Sequence, residues 1–358
     1  MRVLVAGGGT GGHFYPGFAV AERLRELGVE VFWLGATRGL EAARLPSLAI
    51  PHRLLAVSGA VGVSLGAKIG SFLRILPALA AALRVLAQVR PHVVFSVGGY
   101  AAFPGAAAAG FTATPLVIQE QNAWPGLTHR LLAPWAVAIA CGFREALAAF
   151  PSLPAFWTGN PVRREFFGVP PAPSTRALLV LGGSQGARIL NRLVPEALAR
   201  IPREQRPRVV HQAGERWVEE VRGRYRQLEV DAEVVGFLAE PWEALSQVPL
   251  VVARAGALTV SELSAAGRAA VLIPFAQAAH GHQLANARAL AATGGGWILE
   301  EREASPEALA HLLERLLADP GTLAAAGPKA RALARQDATN AVVRVLLRAA
   351  REPQEVAA

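Results

Sequence analysis

Two glycine-rich segments follow short apolar runs in this chain, one at the N-terminus and one near the middle. Residues 7–12 read Gly-Gly-Gly-Thr-Gly-Gly, and residues 182–186 read Gly-Gly-Ser-Gln-Gly. Glycines at a strand-to-helix turn let backbone N–H groups approach an anion at the helix N-terminus, where the helix dipole favours negative charge. Glycines also allow tight turns, so a single loop of this kind is weak evidence for an anionic ligand. Two of them predict a ligand that carries phosphate.

The first loop satisfies G-x-G-x-x-G with Gly7, Gly9 and Gly12, the pattern of a dinucleotide-dependent oxidoreductase. That class of enzyme needs a carboxylate at the end of the second strand to hold the ribose. Here the strand ends in residues 33–37, Trp-Leu-Gly-Ala-Thr, which include no carboxylate. Neither loop contains the lysine of a Walker P-loop, which disfavours an ATPase or a kinase. The sequence therefore favours a different phosphate-bearing ligand.

The aspartates of this chain do not form the Asp-x-Asp motif through which many sugar-nucleotide transferases hold a metal. There are three, Asp231, Asp319 and Asp337, and none is near another. Charge that develops on a leaving phosphate must then be met by amide dipoles, hydroxyl groups and arginine. Arg163 is the candidate cation, although an arginine there is also typical of a solvated or ion-paired residue. We expect no essential metal and no cofactor.

His13 directly follows the first glycine loop. A neutral imidazole accepts a proton near neutral pH, so His13 is the candidate general base. The alternative is a histidine at the start of a helix that takes no proton and only binds or orients the acceptor substrate, which is the molecule that receives the transferred group.

Short apolar runs alternate with helical patterns along the whole chain, as in βαβ units on a parallel sheet. The pattern restarts after the proline-rich residues 169–173. We therefore predict an α/β protein of two Rossmann-like domains that face each other across a cleft, residues 1–161 and residues 162–339. The predicted strands are Val3–Ala6, Val31–Leu34, Arg53–Val57, Val93–Val97, Leu116–Ile118 and Val137–Ala140 in the first domain, and Ala177–Leu181, Val209–Gln212, Val234–Gly236, Leu250–Ala253 and Ala270–Ile273 in the second.

Composition limits the kinds of binding partner and the cellular compartment that fit this protein. A net charge of +9 makes acidic partners plausible: nucleic acid, anionic lipid or a phosphate-bearing substrate. The arginines are scattered and no nucleic-acid motif is present, so we expect no nucleic acid. The single cysteine, Cys141, excludes an intramolecular disulfide and is typical of a small buried residue. The N-terminus lacks a signal-peptide core and no run suits a transmembrane helix, so we expect a cytoplasmic protein.

Residues 64–90 combine apolar and basic side chains in a pattern typical of a helix at a membrane surface. The alternative is an ordinary helix whose apolar face packs on the core, which accounts for part of the apolar set. The candidate membrane patch consists of Ile69, Phe72, Leu73, Ile75 and Leu76.

Seven motifs in order resemble the MurG family of peptidoglycan glycosyltransferases across nearly the whole chain. They are Gly-Gly-Thr-Gly-Gly-His at 8–13, Gly-Gly-Tyr at 98–100, Glu-Gln-Asn at 120–122, Gly-Asn-Pro-Val-Arg at 159–163, Gly-Gly-Ser-Gln-Gly-Ala-Arg at 182–188, Arg-Ala-Gly-Ala-Leu-Thr-Val-Ser-Glu at 254–262 and His-Gln-Leu-Ala-Asn-Ala at 282–287. The resemblance implies the glycosyltransferase B fold, with the acceptor on the first domain and the donor on the second. It also implies a last helix, about residues 340–358, that packs back on the first domain.

The function implied by this resemblance is transfer of N-acetylglucosamine (GlcNAc) from UDP-GlcNAc to lipid I. The product is lipid II, formed with inversion by attack of the 4-hydroxyl of N-acetylmuramic acid (MurNAc). Lipid I is undecaprenyl-pyrophosphoryl-MurNAc-pentapeptide, so the implied place is peripheral, on the cytoplasmic face of the cell membrane at an anionic surface. Cell-wall synthesis, cell shape, cell division and the cell cycle follow as the implied context, with other cell-wall synthesis proteins as possible partners.

The resemblance also implies roles for individual residues. On the donor side Ser184 is similar to the phosphate contact, Glu262 to the carboxylate that grips the ribose, and Leu238 to the position whose backbone reads uracil. Without the motif, Glu262 would be interpreted as a first-turn glutamate favoured by the helix dipole. The complete set for UDP-GlcNAc is Thr10, Gly11, Gly12, Asn122, Arg163, Ser184, Leu238, Ala257, Leu258, Thr259, Glu262 and Gln283; Tyr100 and Glu120 are placed on the acceptor side, and His13 is catalytic.

One position departs from the family pattern: Gln119 stands where the family often has a histidine before Glu-Gln-Asn. Asn122 is intact, so the departure puts in doubt only a special role for that histidine. Other functions remain open on the sequence: another metal-free glycosyltransferase, a nucleotide-sugar epimerase of the same architecture, or a UDP-sugar-binding module without catalysis.

Overall fold

The computed structural model describes residues 1–57, 65–183, 185–278 and 281–351, and for residues 65–75 the helical backbone alone. Ser184 lies outside the described residues, as do the side chains of Ile69, Phe72, Leu73 and Ile75. The chain divides into two compact units. Unit 1 comprises residues 1–162 and the chain from Asp337 onward, and unit 2 comprises Arg163–Gln336.

Unit 1 is built on a parallel sheet of seven strands in the order β3-β2-β1-β4-β5-β6-β7. The inner strands are mostly apolar and are buried on both faces, as expected for a parallel sheet covered by helices. The strands are β1 (Arg2–Gly7), β2 (Glu30–Ala36), β3 (His52–Leu55), β4 (Val93–Gly98), β5 (Leu116–Glu120), β6 (Ala136–Cys141) and β7 (Ala155–Trp157). Cys141 is fully buried, and burial raises the pKa of its thiol to about 12, as expected of a small core residue.

Among the described residues, unit 1 has six helices. They are α1 (Gly11–Glu26), α2 (Leu40–Arg44), α3 (Leu65–Val89), α4 (Phe103–Phe111), α5 (Leu127–Leu132) and, after unit 2, α13 (Ala338–Arg351), with short 3-10 helices at Leu45–Ser47, Ala133–Trp135 and Arg144–Ala149. The apolar face of α13 buries Val342, Val343 and Leu346 in the core of unit 1. Arg23 of α1 also donates to the side-chain oxygen of Asn340, at 2.9 Å.

Helix α3 divides along its length. Its C-terminal half buries Ala82 and Leu86 in the core, whereas Leu76 is 60% exposed. Core packing thus accounts for the later apolar residues of the predicted membrane segment. Within the described ranges, no helix is both long enough and apolar enough to cross a membrane.

Unit 2 repeats the plan with a parallel six-stranded sheet in the order β10-β9-β8-β11-β12-β13. Its strands are β8 (Ala177–Leu181), β9 (Arg208–Gln212), β10 (Glu233–Val235), β11 (Leu250–Ala253), β12 (Ala269–Leu272) and β13 (Gly296–Ile298). Its helices are α6 (Arg188–Arg200), α7 (Val218–Gln227), α8 (Pro241–Ser246), α9 (Ala257–Ala266), α10 (His282–Ala292), α11 (Pro306–Leu317) and α12 (Pro320–Arg331), with 3-10 helices at Arg164–Gly168, Arg203–Gln205 and Glu215–Trp217.

Both sheets have a strand-order reversal beside their first strand, between β1 and β4 in unit 1 and between β8 and β11 in unit 2. Ligands of open parallel sheets bind at the carboxyl ends of the strands at such a point. The two glycine loops begin there, because residues 7–12 follow β1 and residues 182–186 follow β8. The fold therefore provides one candidate binding edge in each unit.

Candidate active site

The unit 1 edge collects predicted site residues from the ends of three neighbouring strands. The loop after β1 carries Thr10 and His13, that after β4 carries Tyr100, and that after β5 carries Asn122. Helix α1 begins at Gly11, with Thr10 in extended conformation at its N-cap. Tyr100 lies against Gly9, where an added Cβ would be 3.1 Å from the ring, and its hydroxyl donates to the carbonyl of Arg38 at 3.1 Å.

His13 is half-buried, and the hydrogen bonds around it define its tautomer. Its Nδ1 lies 3.1 Å from the carbonyl oxygen of Val97 and 3.3 Å from Oε1 of Gln121. Both partners are acceptors, since the Gln121 amide nitrogen itself donates to Val97 at 2.7 Å. Nδ1 therefore carries the proton and Nε2 keeps the lone pair. Burial, together with the neighbouring His129, lowers the pKa of His13, so the ring is neutral near pH 7 and can accept a proton.

Glu120 is 1% exposed, and both of its carboxylate oxygens are used inside unit 1. One oxygen accepts from the backbone and side-chain nitrogens of Asn122, at 2.8 and 3.0 Å. The other accepts from Nδ1 of His129 at 2.8 Å and from the backbone of Gly126 at 3.2 Å. Although burial opposes it, the contact with His129 and the bonds from Asn122 keep the pKa of Glu120 below its usual range. Glu120 was predicted only to lie on the acceptor side; in the structure it is buried and positions Asn122 and the loop around it.

Gln119, the departure from the family pattern, is part of the same buried network. Its amide nitrogen donates to the side-chain oxygen of Asn160 at 3.0 Å, and its Oε1 accepts from Gln121. The second imidazole at this edge comes instead from His129, which is 3% exposed and lies on α5. The sequence reasoning overlooked His129, because no motif surrounds it.

Glu41 is a further residue that the sequence reasoning missed. It lies five residues beyond the end of β2, is fully buried, and accepts from the backbone of Gly9 at 2.7 Å and of Ala36 at 3.1 Å. A carboxylate is therefore present at the end of the second strand after all. Backbone N–H groups occupy both of its oxygens, so Glu41 braces the first glycine loop and does not serve as the ribose ligand of an oxidoreductase.

In unit 2 the predicted Ala257, Leu258 and Thr259 form the first turn of α9, after Gly256, which has no side chain to cap the helix. Their N–H groups lie at the N-terminal, positive end of the helix dipole and point out of the helix. Glu262 lies one turn further on, on the face of Leu258 and Thr259. It is therefore not in the first turn, and the dipole explanation for it is wrong. Burial raises the pKa of Glu262 to about 7, partly offset by the charge of Arg163.

The described part of the second glycine loop rests on the end of β9. Gly183 and Gly186 adopt left-handed φ angles of +76° and +72°, and an added Cβ on Gly186 would meet the carbonyl oxygen of Ala213. That oxygen accepts from Asn191 at 3.0 Å, and Asn191 bonds the buried His211 at 3.1 Å. Burial lowers the pKa of His211 to about 3, so this imidazole is neutral and structural.

Two further predicted donor residues lie beyond the other strand ends of unit 2. Leu238 is half-buried in the segment between β10 and α8. Gln283 is the second residue of α10, and its Oε1 accepts from the backbone of Phe275 at 2.9 Å. The loop after β12 is further held by an ion pair that the sequence reasoning missed, between Arg254 and Glu301 at 2.6 Å. The other oxygen of Glu301 accepts from the backbone of Ala276 at 2.8 Å.

Arg163 is the first residue of unit 2. Its Nη1 donates to the carbonyl of Ala239 at 3.1 Å, next to Leu238, and its charge acts on Glu262. The donor residues predicted in this unit thus belong to one edge: Arg163, Leu238, the start of α9 and Glu262. Over the residues that the structure describes, no three His, Cys, Asp or Glu side chains group as metal ligands.

Comparison with known proteins matches both units to the same glycosyltransferase family. Residues 3–141 match the model of the glycosyltransferase family 28 N-terminal domain, and residues 177–343 match that of the family 28 C-terminal domain. A UDP-N-acetylglucosamine--N-acetylmuramyl-(pentapeptide) pyrophosphoryl-undecaprenol N-acetylglucosamine transferase from Alkalilimnicola ehrlichii is 46% identical, over 98% of this chain and 99% of the relative.

Solved structures agree with this result. The crystal structure of Acinetobacter baumannii MurG superposes with a TM-score of 0.78 at 32% identity, over 97% of this chain and 99% of that one. A UDP-GlcNAc 2-epimerase from Neisseria meningitidis has a TM-score of 0.69, over 97% of this chain and all of that one. Its identity is 13%, so it shows a shared fold alone. The chain belongs to glycosyltransferase family 28 and, within it, to the MurG family of N-acetylglucosamine transferases with the glycosyltransferase B fold.

Proposed function

We propose that this enzyme transfers GlcNAc from UDP-GlcNAc to the 4-hydroxyl of MurNAc in lipid I and so forms lipid II, the β-1,4-linked disaccharide precursor of peptidoglycan. The observation that carries the proposal is the near full-length identity of 46% to a transferase with that name. The site residues add a chemical reason, because a helix N-terminus, a partly buried carboxylate and an arginine together suit a nucleotide diphosphate.

Donor binding is assigned to unit 2. The amides of Ala257, Leu258 and Thr259 are proposed to receive the pyrophosphate, and Glu262 to accept hydrogen bonds from the ribose hydroxyls. A carboxylate in that role must be ionised, which the charge of Arg163 favours. Gln283 and Asn122 are proposed to bond hydroxyls of GlcNAc, since an amide both donates and accepts. The Leu238 backbone, Ser184 and residues 10–12 complete the proposed donor set.

The chemical step is proposed as one in-line displacement at the anomeric carbon. The 4-hydroxyl oxygen of MurNAc forms the new bond to C1, the bond from C1 to the UDP oxygen breaks, and the configuration changes from α to β. The hydroxyl proton passes to Nε2 of His13, whose lone pair is available in the tautomer that Val97 and Gln121 favour. UDP leaves as the anion, and we propose that amide dipoles and Arg163 stabilise it without an essential metal.

We further propose that the enzyme works at the cytoplasmic face of the cell membrane, because a lipid-borne acceptor must be met there. Support comes from the basic and apolar residues of 64–90 and from the exposure of Leu76 on α3. Peptidoglycan synthesis would link the enzyme to cell shape and division and to other cell-wall synthesis proteins.

The proposal is tested by incubating the purified chain with radiolabelled UDP-GlcNAc, with and without a lipid I analogue. We expect label in an organic-extractable product that contains a β-linked disaccharide, and none without the acceptor. Glu262→Ala serves as the control variant for donor use. Release of free labelled sugar or of its epimer without the acceptor would overturn the proposal, as would tight UDP binding with no turnover.

A further inference from the structure

Trp242 presents its ring face to the guanidinium of Arg163. The carbon at the centre of the guanidinium lies 4.4 Å from the centroid of the Trp242 ring and 5.3 Å from that of Phe166. The two rings meet edge to face, with centroids 5.6 Å apart and an interplanar angle of 85°. Phe166 is fully buried, so it gives Trp242 a fixed support. The aromatic pair therefore holds the cation in one place.

Trp242 also lies directly after the segment assigned to the nucleobase. It is the second residue of α8, which begins at Pro241, and Leu238 lies four residues earlier. Arg163 donates to the carbonyl of Ala239 in between, at 3.1 Å. The guanidinium thus contacts this short stretch of chain twice, once at a backbone oxygen and once at an aromatic face.

The charge of Arg163 reaches Glu262 as well. Burial raises the pKa of that carboxyl, and Arg163 is the charged group that lowers it. Other charged or titratable residues lie on the elements that pack against α9, but none of them contributes to the pKa of Glu262. They are Arg164, Glu165, His282, Arg288, Lys329 and Arg331.

We propose that Trp242 is a positioning residue for the donor: its ring keeps the Arg163 guanidinium on the Ala239 carbonyl and in a position from which its charge acts on the Glu262 carboxylate. Trp242 thereby couples the segment that reads the base to the residue that grips the ribose. The inference rests on the proposed function, since it takes the donor to be a UDP-sugar. It adds a residue that none of the motifs contains.

The test is calorimetric binding of UDP-GlcNAc to the full chain, without acceptor, for Trp242→Leu and Trp242→Tyr. Loss of a cation–π contact worth about 1–2 kcal/mol predicts about 5- to 30-fold weaker binding for Trp242→Leu. Trp242→Tyr keeps an aromatic face and should stay near the wild type. Trp297→Leu, a half-buried tryptophan of unit 2 on β13, is the matched control and should bind as the wild type does. In turnover assays Trp242→Leu should raise the donor KM and also lower kcat, because Arg163 is also proposed to stabilise the leaving UDP.

Two further measurements separate positioning from simple packing. Binding should strengthen with rising pH as Glu262 ionises, and Trp242→Leu should move the midpoint of that rise upward, because a less fixed Arg163 favours the carboxylate less. In an Arg163→Met background, Trp242→Leu should have little further effect, since both changes remove the same coupling.

The inference is overturned if the losses of affinity of the two single variants multiply in the double variant. It is also overturned if the midpoint of the pH dependence of binding does not move in Trp242→Leu, or if Trp242→Tyr binds UDP-GlcNAc as weakly as Trp242→Leu. Trp242→Met replaces the leucine variant in the same measurements if that variant does not fold. A wild type that fails to bind UDP-GlcNAc would instead refute the proposed function, so the two failures are distinct.

Discussion

Replacing Glu262 by glutamine should make the ligand-free protein more stable while weakening its affinity for the donor. Burial raises the pKa of the Glu262 carboxyl from 4.5 to about 7. An acid whose folded pKa is higher than its unfolded pKa binds its proton more tightly when folded. Its effect on stability is therefore most favourable below pH 4.5 and is lost as the pH rises through 7. At pH values above 7 the wild type carries a desolvated charge that glutamine lacks.

The size of the effect follows from the shift. Without solvent screening, a pKa displaced from 4.5 to about 7 changes the free energy of unfolding by about 3 kcal/mol. Glu262 is half-buried, and solvent screening reduces this to about 1–2 kcal/mol. For a unit of this size that raises Tm by about 2–8 °C at about pH 8. Loss of the charge-assisted bonds to the ribose should weaken UDP-GlcNAc binding about 10- to 100-fold. Truncation in Glu262→Ala should cost more, about 2–4 kcal/mol.

Thermal unfolding followed by circular dichroism, at about pH 5 and about pH 8 and with or without UDP-GlcNAc, measures both effects. Glu262→Gln should unfold at a higher temperature than the wild type at the higher pH without ligand, and the order should reverse at saturating donor. Glu243→Gln, at an exposed glutamate of α8, is the matched control and should change neither value. An unchanged or lower Tm at the higher pH would refute the burial argument. Unchanged donor affinity would remove Glu262 from the ribose site.

Three further outcomes are expected. His13→Ala should bind UDP-GlcNAc almost normally, lose about 10²–10⁴ in turnover and lose the acidic limb of its pH–rate profile; a rise in the acceptor KM alone would show that His13 only positions the acceptor. Activity should persist in excess EDTA, and a loss that added magnesium or manganese restores would contradict the metal-free account. Phe72→Asp with Ile75→Asp should weaken binding to anionic vesicles with the fold and donor binding intact; unfolding of this variant would support a core role for both side chains.

The parallel strands were predictable because buried apolar runs alternate regularly with helical patterns along the chain. Each predicted strand corresponds to a strand of the structure, with ends that differ by up to two residues. The edge strands β7 and β13 were missed. Each has three residues and none of them is fully buried, so neither forms the apolar run by which the inner strands are recognised. The change of unit after Val162 lies within one residue of the predicted boundary.

The sequence led to predictions for residues that would face a ligand, but not for the residues that hold them in place. The glycine loops follow from local spacing, which a sequence displays directly, whereas the helix start at Ala257 and the carboxylate of Glu262 were assigned through the resemblance to the family. His129 acts on Glu120 from a different element nine residues away, and Glu301 acts on Arg254 across 47 residues. Trp242 depends on how α8 packs beside Arg163. These contacts exist only after folding, so no local pattern indicates them.

The residues that support the two glycine loops meet the same physical requirement in both units. Loops built mainly from glycine bring few side chains of their own, yet they lie where buried N–H and carbonyl groups must find partners. Glu41 supplies an acceptor for Gly9 in unit 1, and in unit 2 Asn191 supplies a donor to the carbonyl of Ala213, on which Gly186 rests. His211 orients Asn191 in turn. A glycine loop that leaves its amides open to a ligand therefore requires polar residues beneath it, and here these come from other parts of the chain.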